Sequence, residues 1–199
     1  MHGLVNRSIQ CFVQDTYGIE TWHSIATSIG VGPEGFESLL VYDDGLSDAF
    51  MAAVVRQLNK PKDMLLEDVG TYLVSNPNKE SIRRLMRFGG DTFVDFLHSL
   101  EDLPDRARLA VCDLELPTLA LLDDGTGTYT LHVSGRNAKV AYVLLGILRA
   151  MADDYGALVL LELRECCTGD IAIDIGLLDT AFAEGRSFSL SPRRLEVQG

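Results

Sequence analysis

The last part of the chain constrains the fold most, because its order of strand-like and helix-like segments permits few architectures. Four segments have strand character, with partly alternating apolar residues, and a long apolar helix is predicted between the second and the third. In chain order these segments are 116–124, 128–135, the helix 137–155, 157–166 and 170–177. The order β-β-α-β-β predicts an antiparallel sheet with a helix packed on one face.

The preceding part of the chain is predicted to be helical. Apolar residues recur at helical spacing in a series of segments separated by glycine, proline and asparagine turns. The predicted helices are 3–14, 20–28, 47–58, 62–74, 81–88 and 91–103. The sequence therefore predicts an α+β protein in which an N-terminal helical lobe precedes the C-terminal sheet.

Charge and composition exclude several classes of function. Acidic residues outnumber basic ones 29 to 17, for a net charge of −12, which disfavours a nucleic-acid or anionic-membrane partner. No apolar run is long enough to span a membrane, and no signal peptide is apparent. The four cysteines lack disulfide or zinc spacing, so a reduced cytoplasmic protein is expected. The common enzyme signatures are absent, and we expect no catalytic activity.

A proline interrupts an otherwise helical pattern near the middle of the chain. In FLHSLEDLPDRARLAV, Leu97, Leu100 and Leu103 share one helical face, and Pro104 lies beside that face. Proline in a helix interior costs about 3 kcal/mol. One explanation is that a helix ends before Pro104 and the proline opens the next turn, where it is tolerated.

One polar cluster is predicted at the end of the second strand. His132, Ser134 and Arg136 alternate along the chain and therefore project to the same side of a strand. An imidazole, a hydroxyl and a guanidinium on one side would bind a carboxylate, and the guanidinium can do so bidentately. The alternative is an ordinary solvated strand end.

Several segments together resemble the H-NOX (heme nitric oxide/oxygen binding) domains, the sensor domains of soluble guanylate cyclases. The matching segments are MHGLVN, YGIETW, LVYDDG, LMRFGGDTFVDFL, LPT at Leu116–Thr118, the pair Ser134 and Arg136, and Gly146. The resemblance implies a single domain over 1–178, with a helical lobe at 1–65 and a cofactor-pocket lobe at 66–178. Residues 179–199 are expected to form a loosely attached tail.

The resemblance also implies the positions of the heme contacts. Pro117 matches the family proline that presses on the porphyrin, and Ser134 and Arg136 match two of the three residues that hold the heme propionates. Two positions depart from the family. Pro104 stands where the family has the histidine that binds iron, and His132 replaces the motif tyrosine.

Proline cannot bind a metal, so another residue would have to hold the iron. Imidazole and thiolate are both known axial ligands of heme. His98, His2 and Cys112 are weak candidates for this role. The simplest expectation is that no protein–iron bond of the family type forms.

The resemblance further implies an apolar wall on the opposite side of the heme. The matching positions are Val5, Ile9, Val143 and Ile147. Val143 occupies the place of a tyrosine that donates a hydrogen bond to oxygen in some family members. An apolar wall would favour NO over O2 if iron were present, although the same residues could simply form a packed core.

Two functions follow from the resemblance. The first is a heme-binding gas sensor that signals to a separate effector, such as a histidine kinase or a cyclic-nucleotide enzyme. The alternative is a degenerate, heme-independent H-NOX module that acts through protein interaction or binds another apolar carboxylate, because the axial histidine is absent.

Overall fold

The computed structural model describes residues 2–166 and 169–186. Eight helices and four strands are present in this part of the chain. They are α1 (Gly3–Tyr17), α2 (Ile19–Ser28), α3 (Asp44–Leu58), α4 (Lys62–Ser75), α5 (Glu80–Arg87), α6 (Phe93–His98), α7 (Leu103–Ala110), β1 (Thr118–Asp123), β2 (Thr128–Ser134), α8 (Val140–Tyr155), β3 (Leu158–Glu165) and β4 (Ile171–Asp179). A short 3₁₀ turn, Pro77–Lys79, precedes α5.

The strands form one antiparallel sheet in the order β1-β2-β4-β3. Alternate residues on the inner face, such as Leu131, Val133, Ile173 and Ile175, are fully buried in the cluster that includes the apolar face of α8. Because successive side chains of a strand point to opposite faces, the residues between these form a polar outer face. The predicted α+β class, with a helical lobe followed by a β-β-α-β-β sheet, is confirmed.

The N-terminal helices bury a second apolar cluster around Trp22 and Phe50, both of which have no exposed surface. The two rings meet edge to face, with their centroids 5.9 Å apart. Helix α4 contributes Leu65 to this cluster and Val74 to the cluster under the sheet. No helix of the described residues is long and apolar enough to cross a membrane.

A close crossing of α4 and α8 joins the two clusters. A Cβ atom added at Gly70 would overlap the backbone carbonyl of Val143, and one added at Gly146 would overlap the carbonyl of Glu67. The two glycines therefore allow the helix backbones to approach more closely than side chains would permit. The Thr71 hydroxyl also lies 3.3 Å from the Gly146 carbonyl.

The prediction of one continuous helix over 91–103 is wrong, because α6 ends at His98 and a turn precedes α7. Thr92 begins α6 with a capping box, in which its hydroxyl accepts the Asp95 N–H and its own N–H is bound by the Asp95 carboxylate. Pro104 is buried in the first turn of α7, where no backbone donor is required. The proline therefore starts a helix, as one sequence interpretation predicted.

The segment 180–186 is more firmly attached than the predicted loose tail. The Ala183 N–H donates to the Gly156 carbonyl over 3.0 Å, and the Arg186 N–H donates to the Asp154 carbonyl over 2.9 Å. These two bonds hold the segment after β4 against the C-terminal end of α8. The last carbonyl groups of a helix have no partner within the helix and accept hydrogen bonds from elsewhere. The remainder of the predicted tail, 187–199, lies outside the described residues.

Candidate ligand-binding site

The larger of two adjoining cavities, about 590 Å³, lies between the helical lobe and the start of α8. This volume falls within the range of small-molecule sites. Helices α1, α3, α4 and α8 form much of its wall, and the connector between α7 and β1 completes it. Its apolar residues are Val5, Ile9, Val41, Met51, Leu66, Leu114, Leu116, Val140 and Val143.

One part of this cavity is polar and buried. Asn6 and Ser47 line it with only 1% and 3% of their surfaces exposed, and the Asn6 Nδ2 donates to the Ser47 Oγ over 2.9 Å. His2 also lines the cavity, and its Nδ1 accepts the Leu4 N–H over 3.1 Å as the N-cap of α1. The helical lobe therefore offers hydrogen-bonding groups to a bound molecule.

Charged side chains of both signs also line the larger cavity. The cations are Lys62 at the start of α4, Arg136 after β2 and Lys139 before α8. The carboxylates are those of Asp44, Asp48, Asp113 and Glu115. All three cations are exposed residues, so they can reach a carboxylate of a bound molecule while keeping contact with water.

A smaller cavity, about 510 Å³, adjoins the first and shares Arg136 and Asn137 with it. Arg108 of α7 lines it, as do Pro117 and Ser134. The connector Asp113–Leu116 contacts both cavities and forms a wall between them. The Asn137 Nδ2 donates to the Glu115 carbonyl over 3.2 Å, which ties this wall to the turn before α8.

The structure brings most of the sequence-predicted residues to these cavities. Val5, Ile9 and Val143 line the larger one, and Pro117 and Ser134 line the smaller one. Arg136 lines both, so it lies between the apolar wall and the predicted propionate contacts.

His132 and Ile147 are placed elsewhere. His132 lies on the outer face of the sheet, between Ala120 of β1 and Ala172 of β4. There the Arg164 guanidinium, with smaller contributions from the Thr130 hydroxyl and His132, lowers the pKa of Asp174. Ile147 is 5% exposed and packs in the apolar cluster under the sheet, one helical turn beyond Val143.

The candidate iron ligands also differ in position. His98 is exposed on α6, where its Nε2 lies 3.4 Å from the Asp123 carboxylate, and it lines neither cavity. Cys112 lines the smaller cavity and His2 the larger one. Among the described residues, none from α6 or α7 lines the larger cavity, and no cluster of histidine, cysteine and carboxylate groups could hold a metal ion.

The protein is thus a two-lobed α+β domain, with a helical lobe, an antiparallel sheet of order β1-β2-β4-β3 and a cavity between the helical lobe and the start of α8. The Haem-NO-binding (HNOB) pattern matches residues 2–162, so the chain belongs to this family. The family comprises heme-binding gas-sensor domains that are not themselves catalytic.

Curated relatives support this assignment at the sequence level. The chain is 25% identical to soluble guanylate cyclase 89Db of Drosophila melanogaster over 174 residues, which cover 85% of this chain and 26% of that protein. It is 24% identical to soluble guanylate cyclase gcy-31 of Caenorhabditis elegans over 154 residues, covering 77% and 22%. The chain thus spans about a quarter of the length of these relatives.

Solved structures share the fold. An H-NOX protein from S. oneidensis in the Fe(II) state superposes with a TM-score of 0.76 at 16% identity, covering 90% of this chain and 97% of that one. The Fe(II) unliganded H-NOX protein from K. algicida gives a TM-score of 0.74 at 16% identity, covering 95% and 100%.

Among the residues of the larger cavity that sequence reasoning missed are Asn6, Ser47, Lys62 and Lys139. They come from three helices and the turn before α8, and only the tertiary fold brings them together. No local signal marks Asn6 and Ser47, because polar residues such as Arg7 and Asp48 are their direct neighbours in the sequence.

Proposed function

We propose that this chain is an H-NOX-type sensor domain whose larger cavity binds a heme-type tetrapyrrole. The observation that supports this most is the pairing of an apolar wall with cations at one cavity. Val5, Ile9 and Val143 offer hydrocarbon contacts for a macrocycle, while Arg136 and Lys139 are available to its carboxylates.

The residues present fit the organic part of heme better than its iron. An apolar wall and exposed cations suit a flat hydrocarbon that carries two carboxylates. Pro104 has no donor atom, so it would offer iron no ligand at the position that the resemblance indicates. The His2 Nδ1 already accepts a hydrogen bond, so a neutral His2 carries its proton on Nε2 and cannot bind a metal through that atom without giving up the cap.

We further propose that NO is sensed in preference to O2 if iron is held. When bound, iron would supply the gas-binding position. The wall formed by Val5, Ile9 and Val143 contains no hydrogen-bond donor for a bound oxygen molecule. We expect output through a separate effector, such as a histidine kinase or a cyclic-nucleotide enzyme, in the cytoplasm.

Addition of hemin to the purified protein tests this proposal. We expect a stoichiometric Soret band, and we expect Arg136→Ala to weaken hemin binding about tenfold, because a charge-assisted contact is lost. Arg164→Ala is the matched control, since Arg164 is ion-paired to Asp174 on the outer sheet face. Absence of a Soret band, or equal effects of the two substitutions, would refute the proposal.

The second candidate is a heme-independent H-NOX module, supported by the sequence resemblance that matches Pro104 of α7 with the family's iron ligand. Replacing Pro104 with histidine distinguishes the two. If the tetrapyrrole lies against α7, Pro104→His should strengthen hemin binding at least about tenfold by adding an axial imidazole.

The control for that substitution is Leu109→His, which places an imidazole on the same helix at a side chain that is 91% exposed. The measurement is the hemin dissociation constant, together with the position of the Soret band. Identical behaviour of the two variants would show that no tetrapyrrole lies against α7, whereas failure of hemin to bind any of the variants would favour the heme-independent module.

A further inference from the structure

The polar part of the larger cavity, which we call the amide–hydroxyl subsite, consists of His2, Asn6 and Ser47. Asn6 and Ser47 are both more than nine-tenths buried and bonded to one another. Burying such groups is unfavourable unless their hydrogen-bonding capacity is used. Their presence in a cavity wall therefore calls for a partner.

The free capacity of these groups can be counted. Within the described part of the chain, neither the Ser47 hydroxyl hydrogen nor the Asn6 carboxamide oxygen is bonded to another protein group. His2 uses Nδ1 to cap α1, so its neutral imidazole carries the proton on Nε2. The subsite consequently offers donors from His2 and Ser47.

The surrounding charges decide what kind of acceptor fits. Asp48 lines the same cavity and lies next to Ser47 on α3. A second anion placed beside the Asp48 carboxylate would be repelled. The cations Lys62, Arg136 and Lys139 also line the cavity and can take carboxylates. The subsite therefore suits a neutral oxygen acceptor such as a carbonyl.

Protoporphyrin, the closed macrocycle of heme, has no such group. Apart from its two carboxylates, its rim carries hydrocarbon substituents, which would leave the subsite unpaired on binding. An open-chain tetrapyrrole carries the same carboxylates and also terminal lactam carbonyls. It needs no axial ligand, which agrees with the lack of a donor atom at Pro104.

We infer that the amide–hydroxyl subsite selects tetrapyrrole dicarboxylates that bear a lactam carbonyl, of the open-chain bilin class, over closed porphyrins. This inference rests on the proposed function, since it specifies which tetrapyrrole occupies the same cavity. The carboxylates pair with the cationic residues, and the lactam oxygen accepts hydrogen bonds from His2 and Ser47.

Titration of the full chain with biliverdin and with metal-free protoporphyrin IX, followed by fluorescence quenching, tests the inference. We expect biliverdin to bind about tenfold more tightly, as two additional hydrogen bonds would produce. Ser47→Ala should weaken biliverdin binding about fivefold and leave protoporphyrin binding unchanged. His2→Asn should act similarly, and it retains a good N-cap residue for α1.

The matched control is Ser28→Ala, because the Ser28 hydroxyl donates to the Ile25 carbonyl at the end of α2 and does not line the cavity. Equal affinities for the two tetrapyrroles, or equal effects of Ser47→Ala on both, would overturn the inference and leave the proposed function intact. If biliverdin, protoporphyrin IX and hemin all fail to bind, the inference and the proposed function are both overturned.

Discussion

Replacing Asp154 with asparagine should lower the free energy of unfolding by about 3–5 kcal/mol, the usual result of removing one partner from a buried ion pair. Asp154 is 2% exposed. Its Oδ1 lies 2.7 Å from the Arg83 Nη2, and its Oδ2 lies 3.4 Å from the Arg87 Nε. The loss of its charge removes a buried anion that both guanidinium groups contact.

Chemical denaturation measures this change through the transition midpoint and the slope. The matched control is Asp123→Asn, which changes a carboxylate whose contact with the exposed His98 imidazole is 3.4 Å long. We expect the control to change stability by about 1 kcal/mol or less. A loss of similar size in both variants would contradict a special role for Asp154.

A second large effect is expected from Gly146→Ala. The added methyl group would overlap the Glu67 carbonyl, which is backbone and cannot rotate away. Helices α4 and α8 must then separate, and overpacking of this kind costs about 3 kcal/mol. Because Val143 lies one turn earlier on α8, we also expect weaker ligand binding in the larger cavity.

Gly176→Ala provides the comparison, since a methyl group added at this position of β4 would make only an ordinary contact, 3.8 Å from the Leu160 Cβ. Glycine within a strand costs about 0.5–1 kcal/mol relative to alanine, so this variant should be neutral or slightly more stable. Thermal unfolding of the two variants provides the measurement. Equal stability of Gly146→Ala and the unmodified protein would show that the crossing is looser than described.

The fold class was predictable because it depends on short-range patterns. A single sequence shows the period-two alternation of β2, and it also shows Gly156, the residue that ends α8. The break between α6 and α7 was harder to predict from the sequence. Leu97, Leu100 and Leu103 are all buried, and a turn can preserve that spacing as well as a helix can.

The site was only partly predictable, for a different reason. Val5 and Val143 came from the family resemblance, whereas Asn6 and Ser47 meet across 41 positions of sequence. Ile147 shows that positions cannot always be transferred from the family. It lies only one helical turn beyond the cavity wall but packs in the core. A polar residue within an amphipathic helix gives no local indication of whether a cavity lies beside it.

The return of residues 180–186 to the end of α8 makes Asp154 a shared contact of two parts of the chain. The backbone carbonyl of Asp154 accepts the Arg186 N–H, while its carboxylate is paired with two arginines of α5. One residue thus joins the end of the described segment to a helix more than sixty positions earlier in the sequence. A shift of α5 that moved its two arginines would therefore act on the same residue that holds Arg186.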